Sequence, residues 1–289
     1  MSWEFELVAG PFRFTEGPAW DGEAVLFTDI PNNRIMRYDP RTGKCEEYIT
    51  NTGGTNGLMF DANGVLYGCA GGDRAIVRFR SDGTKEIVAD RFEGKRLNSP
   101  NDLAFDLKGR LWFSDPRYGE KRDDMELDHE SVYRLDPQPD GSWTIHRVTY
   151  DTTRPNGLLI TPEMDRLYVA QSEYGENKKR ELRAYEVFED GSVGAYEVLH
   201  NFYPHRGIDG MCLDEEGNIV ATAGWKQSGP GPMIYVFAPN GRVLETHPID
   251  AHPTNCTWGD DDLKTLYVTA SGCLFRARTD RRGYLIYPR

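Results

Sequence analysis

Pro155-Asn156-Gly157-Leu158 is one of six versions of a short phrase that recurs along the chain, and the recurrence decides the fold. The others are Thr15-Glu16-Gly17-Pro18, Thr55-Asn56-Gly57-Leu58, Pro100-Asn101-Asp102-Leu103, Ile208-Asp209-Gly210-Met211 and Thr254-Asn255-Cys256-Thr257. The second residue of each is polar, and these anchors fall at 16, 56, 101, 156, 209 and 255, in steps of 40, 45, 55, 53 and 46 residues. Behind each anchor stands a short apolar run, such as Val25-Leu26-Phe27 or Leu111-Trp112-Phe113. A third run follows, such as Ile76-Val77-Arg78-Phe79, and then in most repeats an Asp-Gly or Asn-Gly pair, as at Asp140-Gly141 and Asn240-Gly241. Those pairs tolerate the positive φ of tight hairpins and so join antiparallel strands. Four short strands per 40–55 residues, six times over, predict an all-β, six-bladed β-propeller with four antiparallel strands per blade. A β-sandwich also shows evenly spaced strands. It does not need a four-strand unit to recur with its own polar anchor.

Only segments 120–130 and 176–184 lack strand or turn signals. Closing the ring requires a strand from one terminus in the last blade. The alternation from Trp3 to Val8 fits that role better than Tyr284-Leu285-Ile286-Tyr287. Residues 1–289 are expected to form a single propeller domain.

Composition narrows the function. Apolar residues make up 38% of the 289, enough for a real core. A net charge of −12 argues against nucleic acid or an anionic membrane as partner, since both want a basic face. No apolar run approaches the length of a membrane span. The start, Met-Ser-Trp-Glu-Phe-Glu, carries acids where a signal peptide carries bases. Five cysteines, odd in number and without a CxxC pair, favour reduced thiols. A cytoplasmic protein, monomeric or a small homo-oligomer, is expected.

Each anchor precedes the innermost strand on this reading, so all six meet at one mouth of the central channel. Three long connections, near 114–131, 171–181 and 224–233, wall the sector over blades three to five. They bring Asp115, Arg117, Tyr118, Gln171, Glu173, Trp225 and Gln227 toward the anchors. A polar floor with aromatic walls suits a small molecule. Two anchors are carboxylates (Glu16, Asp209) and four are amides (Asn56, Asn101, Asn156, Asn255). Oxygen donors without thiolate or imidazole suit a hard divalent cation such as Ca²⁺ or Mg²⁺ in the channel. The alternative is that the anchors are turn residues whose side chains cap the backbone. That alternative is weakest for Glu16, because Glu is a poor turn former and a charge in a narrow channel is costly unless paired.

Competing motifs are thin. The six histidines form no HExxH, and no GxSxG elbow, Walker loop or EF-hand loop is present. Gly229-Pro-Gly-Pro reads as a loop. The acidic run Asp123 to Asp128 reads as a cation site or a solvated loop, and His205 as a proton shuttle or a loop histidine.

At Glu16-Gly17-Pro18-Ala19-Trp20, Asn98-Ser99-Pro100-Asn101-Asp102, Arg154-Pro155-Asn156-Gly157 and Asp209-Gly210 the chain resembles the SMP-30/gluconolactonase/luciferin-regenerating-enzyme family of six-bladed propeller hydrolases. The stretch from Arg96 to Asp102 is similar to the bacterial gluconolactonase-like branch. The resemblance implies one divalent cation held by Glu16, Asn156 and Asp209, with Ca²⁺ preferred and Mg²⁺, Mn²⁺ or Zn²⁺ as alternatives. It implies that Asn101, beside the metal, contacts substrate or lies in the metal's outer coordination, and that Asp209 serves as base as well as ligand. One departure stands out. The animal branch has an Arg two residues before the matching Asn, and here that position is Ser99; Arg96 and Arg117 are the candidates to replace it. The function expected is metal-dependent opening of a sugar lactone or similar cyclic ester, with Asp209 catalytic and Asn101, Arg117, Tyr118 and Trp225 gripping the substrate. Phosphotriester or fluorophosphate hydrolysis at the same site, and a calcium-binding propeller without turnover, are the alternatives.

Overall fold

The computed structural model describes residues 2–118 and 122–288. Each repeat folds into a four-stranded antiparallel sheet whose strands follow one another in sequence. The first strands of the sheets are Thr15–Trp20, Thr55–Phe60, Leu103–Phe105, Pro155–Ile160, Ile208–Leu213 and Pro253–Gly259. Each touches the first strands of both neighbouring sheets, and the sixth touches the first, so six blades close around an axis. The second strands, such as Val25–Asp29, Leu66–Ala70 and Thr265–Ala270, are buried along their whole length, as their continuous apolar runs require. Outer strands such as Lys44–Thr50 and Trp143–Arg147 are largely exposed and carry the charges.

The N-terminal strand closes the ring. Glu6–Ala9 pairs antiparallel with Cys273–Arg278 as the outermost strand of the sixth sheet, Glu6 opposite Arg276. The expected span of Trp3 to Val8 is shifted, because Trp3 is recruited elsewhere. Its ring stacks on His247 at 3.9 Å, and its N–H donates to His247 Nδ1 at 3.1 Å. The Tyr284–Tyr287 stretch crosses the channel mouth opposite the anchors. The Tyr284 N–H donates to the Leu213 carbonyl at 3.0 Å, Ile286 is buried, and Tyr287 packs on Phe60. Between this tail and the ends of the inner strands lies a largely apolar cavity of about 100 Å³.

A belt of hydroxyls ties the inner strands together. Thr28 Oγ1 donates to the Asn56 carbonyl at 3.0 Å, Thr222 Oγ1 to the Thr254 carbonyl at 2.8 Å, and Thr254 Oγ1 to the Thr15 carbonyl at 2.8 Å. Each bond joins one blade to the next and satisfies a buried carbonyl that would otherwise be costly.

Two sequence expectations fail at the element level. Segment 224–233 is mostly not a loop: Ser228–Phe237 is one long strand, and Ser228 pairs with Trp225 across a tight connection. Gly229-Pro-Gly-Pro therefore lies in a strand. Residues 180–184 also lie in a strand, Arg180–Val187. Of the 120–130 segment, residues 120 and 121 lie outside the described residues, and 122–130 is turn and coil. All five cysteines are free thiols. Among the described residues no helix is long and apolar enough to cross a membrane.

Candidate active site

The inner strands are bulged beside their anchors. Strand register shifts between Glu16 and Ala19, Thr55 and Leu58, Pro155 and Leu158, Ile208 and Met211, and Pro253 and Asn255. A bulge re-aims side chains, and here it lies where the anchors face the axis. The anchors sit at or just before the first residues of the inner strands, so they are not separate turns ahead of them. The glycine after the anchor serves close approach. A Cβ on Gly157 would lie 2.5 Å from the Asp209 carbonyl oxygen, and one on Gly210 would lie 2.1 Å from the Asn255 amide. No side chain fits between inner strands packed that tightly.

Five anchors line one cavity of about 900 Å³: Glu16, Asn56, Asn101, Asn156 and Asp209. The sixth, Asn255, does not. It faces the lower apolar cavity, and its Nδ2 donates to Asp102 Oδ2 at 3.3 Å. Local backbone capping coexists with this convergence, since Glu16 Oε2 accepts from the Gly17 N–H at 2.6 Å. Tyr118 and Trp225 form part of the wall, with Tyr174 and Phe14, which sequence reasoning missed. The Tyr118 hydroxyl accepts from Asn156 Nδ2 at 2.8 Å, and the Arg154 guanidinium lies 5.2 Å from the Tyr118 ring centre. Trp225 is held at the cavity edge by the strand pairing that replaced its expected loop.

Arg117 is misplaced by the sequence reading. Its guanidinium pairs with Asp124 and reaches the Asn98 carbonyl at 3.4 Å, outside the cavity lining. Arg96 is exposed in a short strand, Lys95–Arg96, and does not line the cavity either. Asp115 is fully buried and accepts from the Asn98 and Ser99 N–H groups, both at 2.8 Å, so it shapes the segment ahead of Asn101. Gln171 accepts from the Thr153 N–H at 3.1 Å, Glu173 pairs with Lys178 at 3.2 Å, and Gln227 does not line the cavity. The acidic run is spent on arginines: Asp124 on Arg117 and Asp128 on Arg147. His205 packs beneath Gly229, away from the cavity.

The arginine that does reach the site is Arg206. Nη2 donates to Asp209 Oδ2 at 2.5 Å, while Nη1 donates to the carbonyls of Gly224 at 3.1 Å and Pro253 at 2.9 Å. Arg13 and Arg180 also line the cavity. Spacing offered a signal for two of these three: Arg13 and Arg206 each stand three residues before a carboxylate anchor.

The floor is rich in negative charge. Glu16 is almost fully buried, and burial, with Asp209 and Asp102 nearby, holds its carboxyl well above the usual range. Burial pushes Asp102 up to about 7. Burial also raises Asp209, though Arg206 opposes the shift. Glu16 and Asp209 thus share one guanidinium at the cavity floor, with Asp102 buried behind them, an arrangement that a divalent cation would relieve. Among the described residues no cluster of three or more His, Cys, Asp or Glu side chains is placed to hold a metal by itself. The candidate set here takes its further donors from amides, and hard oxygen donors of this kind fit Ca²⁺ or Mg²⁺.

The comparisons with known proteins agree with this fold. A sequence model of the SMP-30/Gluconolactonase/LRE-like region matches residues 14–272. The chain belongs to that family. A gluconolactonase of Zymomonas mobilis is 31% identical over 98% of this chain and 83% of its own. The solved structure of XC5397, described as a gluconolactonase, from Xanthomonas campestris superposes with a TM-score of 0.82 at 32% identity, over 96% of this chain and 89% of that one. Diisopropyl-fluorophosphatase of Loligo vulgaris is 28% identical over 82% of this chain and 79% of its own.

Proposed function

We propose that this protein, a lactone hydrolase, opens a sugar lactone with the help of one divalent cation held by Glu16, Asn156 and Asp209. The observation that carries the reading is the convergence of those three residues with Asn101 on the floor of one aromatic-walled cavity. When bound, the cation would polarise the lactone carbonyl and offset charge developing on its oxygen. Ca²⁺ is the preferred ion for an all-oxygen set, with Mg²⁺, Mn²⁺ and Zn²⁺ as alternatives.

The chain's own residues do the rest. Asp209 takes a proton from the water that attacks the carbonyl carbon. The ester C–O bond then breaks, and the ring oxygen leaves as a hydroxyl, taking the proton that Asp209 received. Arg206 holds the Asp209 carboxylate in place through Nη2 while two backbone carbonyls hold Arg206. Tyr118 fixes the Asn156 amide, leaving its oxygen for the cation. Asn101 donates toward the substrate, and Trp225 and Tyr118 cover the sugar ring. The Arg117 side chain has no part in this reading.

The similarity to diisopropyl-fluorophosphatase supports a second reading, in which the same floor serves a phosphorus ester with Asp209 as nucleophile. Turnover of δ-gluconolactone and of a fluorophosphate, each with added Ca²⁺ and after EDTA, separates the two. The lactone reading expects lactone turnover that is lost with EDTA and restored by Ca²⁺. Fluorophosphate turnover without lactone turnover would overturn it.

A further inference from the structure

The wall of the cavity carries positive charge that the floor does not use. Arg180 is 7% exposed, and among the described residues no carboxylate pairs with it. Among the described residues its guanidinium donates only to the Pro204 and Gly175 carbonyls, and it lies 5.4 Å from the Tyr174 ring and 5.5 Å from the Tyr203 ring. Its Nε is buried without a hydrogen-bond partner among the described residues. The acids beside it in sequence point elsewhere: Glu181 pairs with Arg183 at 2.7 Å and Glu173 with Lys178 at 3.2 Å. Arg13, on the facing rim, is exposed and makes no side-chain hydrogen bond or ion pair among the described residues. Behind Tyr118, Arg154 also keeps a buried Nε without a hydrogen-bond partner among the described residues.

A buried, unpaired cation is costly in a folded protein unless an anion arrives. In a chain of net charge −12, Arg180 and Arg13 put two guanidinium groups without carboxylate partners among the described residues on one cavity. Arg206 does not count toward this surplus, because Asp209 consumes its charge. The carboxylates of the floor are engaged by Arg206 and the proposed cation, so the anion belongs against the wall.

We propose that the cavity takes lactones bearing an acidic substituent remote from the ring carbonyl, a carboxylate or phosphate, with Arg180 and Arg13 receiving that anion. This deepens the lactonase reading and rests on it. Planar guanidinium groups suit both anions, and hydrogen bonds to charged groups are about twice as strong as neutral ones.

The test compares D-glucono-1,5-lactone with its 6-phosphate, measured as kcat/KM on the metal-loaded protein. The phosphorylated lactone is expected to be favoured by about tenfold or more, chiefly through KM. That preference should shrink as NaCl rises from about 0.05 to about 0.5 M. Arg13→Ala and Arg180→Gln should each lower kcat/KM for the phosphorylated lactone at least about fivefold more than for the neutral one. Arg13 is exposed, so its variant keeps the test usable if Arg180→Gln fails to fold. Equal kcat/KM on both lactones, or variants that lower both equally, would overturn the inference. Turnover of neither lactone would instead sink the lactonase reading. In that event the open-chain 6-phosphogluconate and gluconate serve as probes of the wall alone. A Tm rise specific to the phosphorylated acid and lost in Arg13→Ala would uphold the anion site, and its absence would end it.

Discussion

Asp209 carries two assignments, ligand and base, and substitutions can separate them. Asp209→Asn keeps an oxygen for the cation but removes the base, whereas Glu16→Gln removes a charge and leaves the base. At saturating metal, with occupancy measured independently, Glu16→Gln should recover much of the parental lactone turnover. Asp209→Asn should stay about 10²–10⁴-fold below it. A metal-replete Asp209→Asn protein within about tenfold of the parent would reduce Asp209 to a ligand. A second prediction concerns Asp115, whose carboxyl burial pushes up to about 7 from an ordinary 3.8. The folded chain then keeps a proton that the unfolded chain releases, so stability falls as pH rises from about 4 to about 7. Every tenfold gain in proton affinity on folding corresponds to about 1.4 kcal/mol. Urea unfolding across that window should show a flatter slope for Asp115→Asn than for the parent, and equal slopes would refute the assignment. Residue chemistry was partly legible in the chain, since five of the six carboxylate and amide anchors do share a cavity. Arg117 was not: Asp124, seven residues on, captures its guanidinium, a pairing that spacing in an irregular segment does not disclose.

At the scale of elements, the glycines beside the anchors are packing residues. Gly157→Ala would push a methyl group to 2.5 Å from the Asp209 carbonyl oxygen, forcing blades four and five apart at the floor. Overpacking of this kind costs about 1–3 kcal/mol. Lactone turnover should fall with Tm in this variant, even though the substituted side chain touches no substrate. An alanine variant with parental Tm and turnover would show that the strands give way easily. Thr222 tests the hydroxyl belt. Its Oγ1 donates to the Thr254 carbonyl and accepts from the Gly210 N–H at 3.0 Å. Thr222→Val should cost about 1–3 kcal/mol in urea unfolding by leaving buried backbone groups unpaired. Strand existence was readable here because alternation and turn pairs are local signals. The hairpin ending at Trp225 was misread, since Gly229-Pro-Gly-Pro carries loop composition. Pairing of Ser228–Phe237 with both neighbouring strands overrides it.

For the whole molecule, the ring is closed by its first strand and sealed at the far mouth by its last residues. Removing the proposed cation with EDTA should lower Tm as well as abolish turnover, because the buried carboxylates then face one another. Unchanged Tm and activity after EDTA dialysis would defeat the metal assignment. Deleting residues 284–289 should expose the ends of the inner strands and lower Tm while leaving the upper cavity in place. A large change in KM or kcat at unchanged Tm would instead tie the tail to the site. The amino-acid sequence by itself determined six blades, four strands in each, the terminus that closes the ring, and anchors that meet near the axis. Those follow from periodicity, which survives in a linear chain because each blade is built from contiguous residues. Only the tertiary structure decided which arginines line the cavity, that Asn255 faces the opposite chamber, and that Tyr284–Tyr287 stops the channel. Such choices depend on contacts between residues in different blades or across the axis, including Arg206 with the Pro253 carbonyl and Tyr284 with the Leu213 carbonyl. No repeat records them, because they are made once, where the ring brings distant segments together.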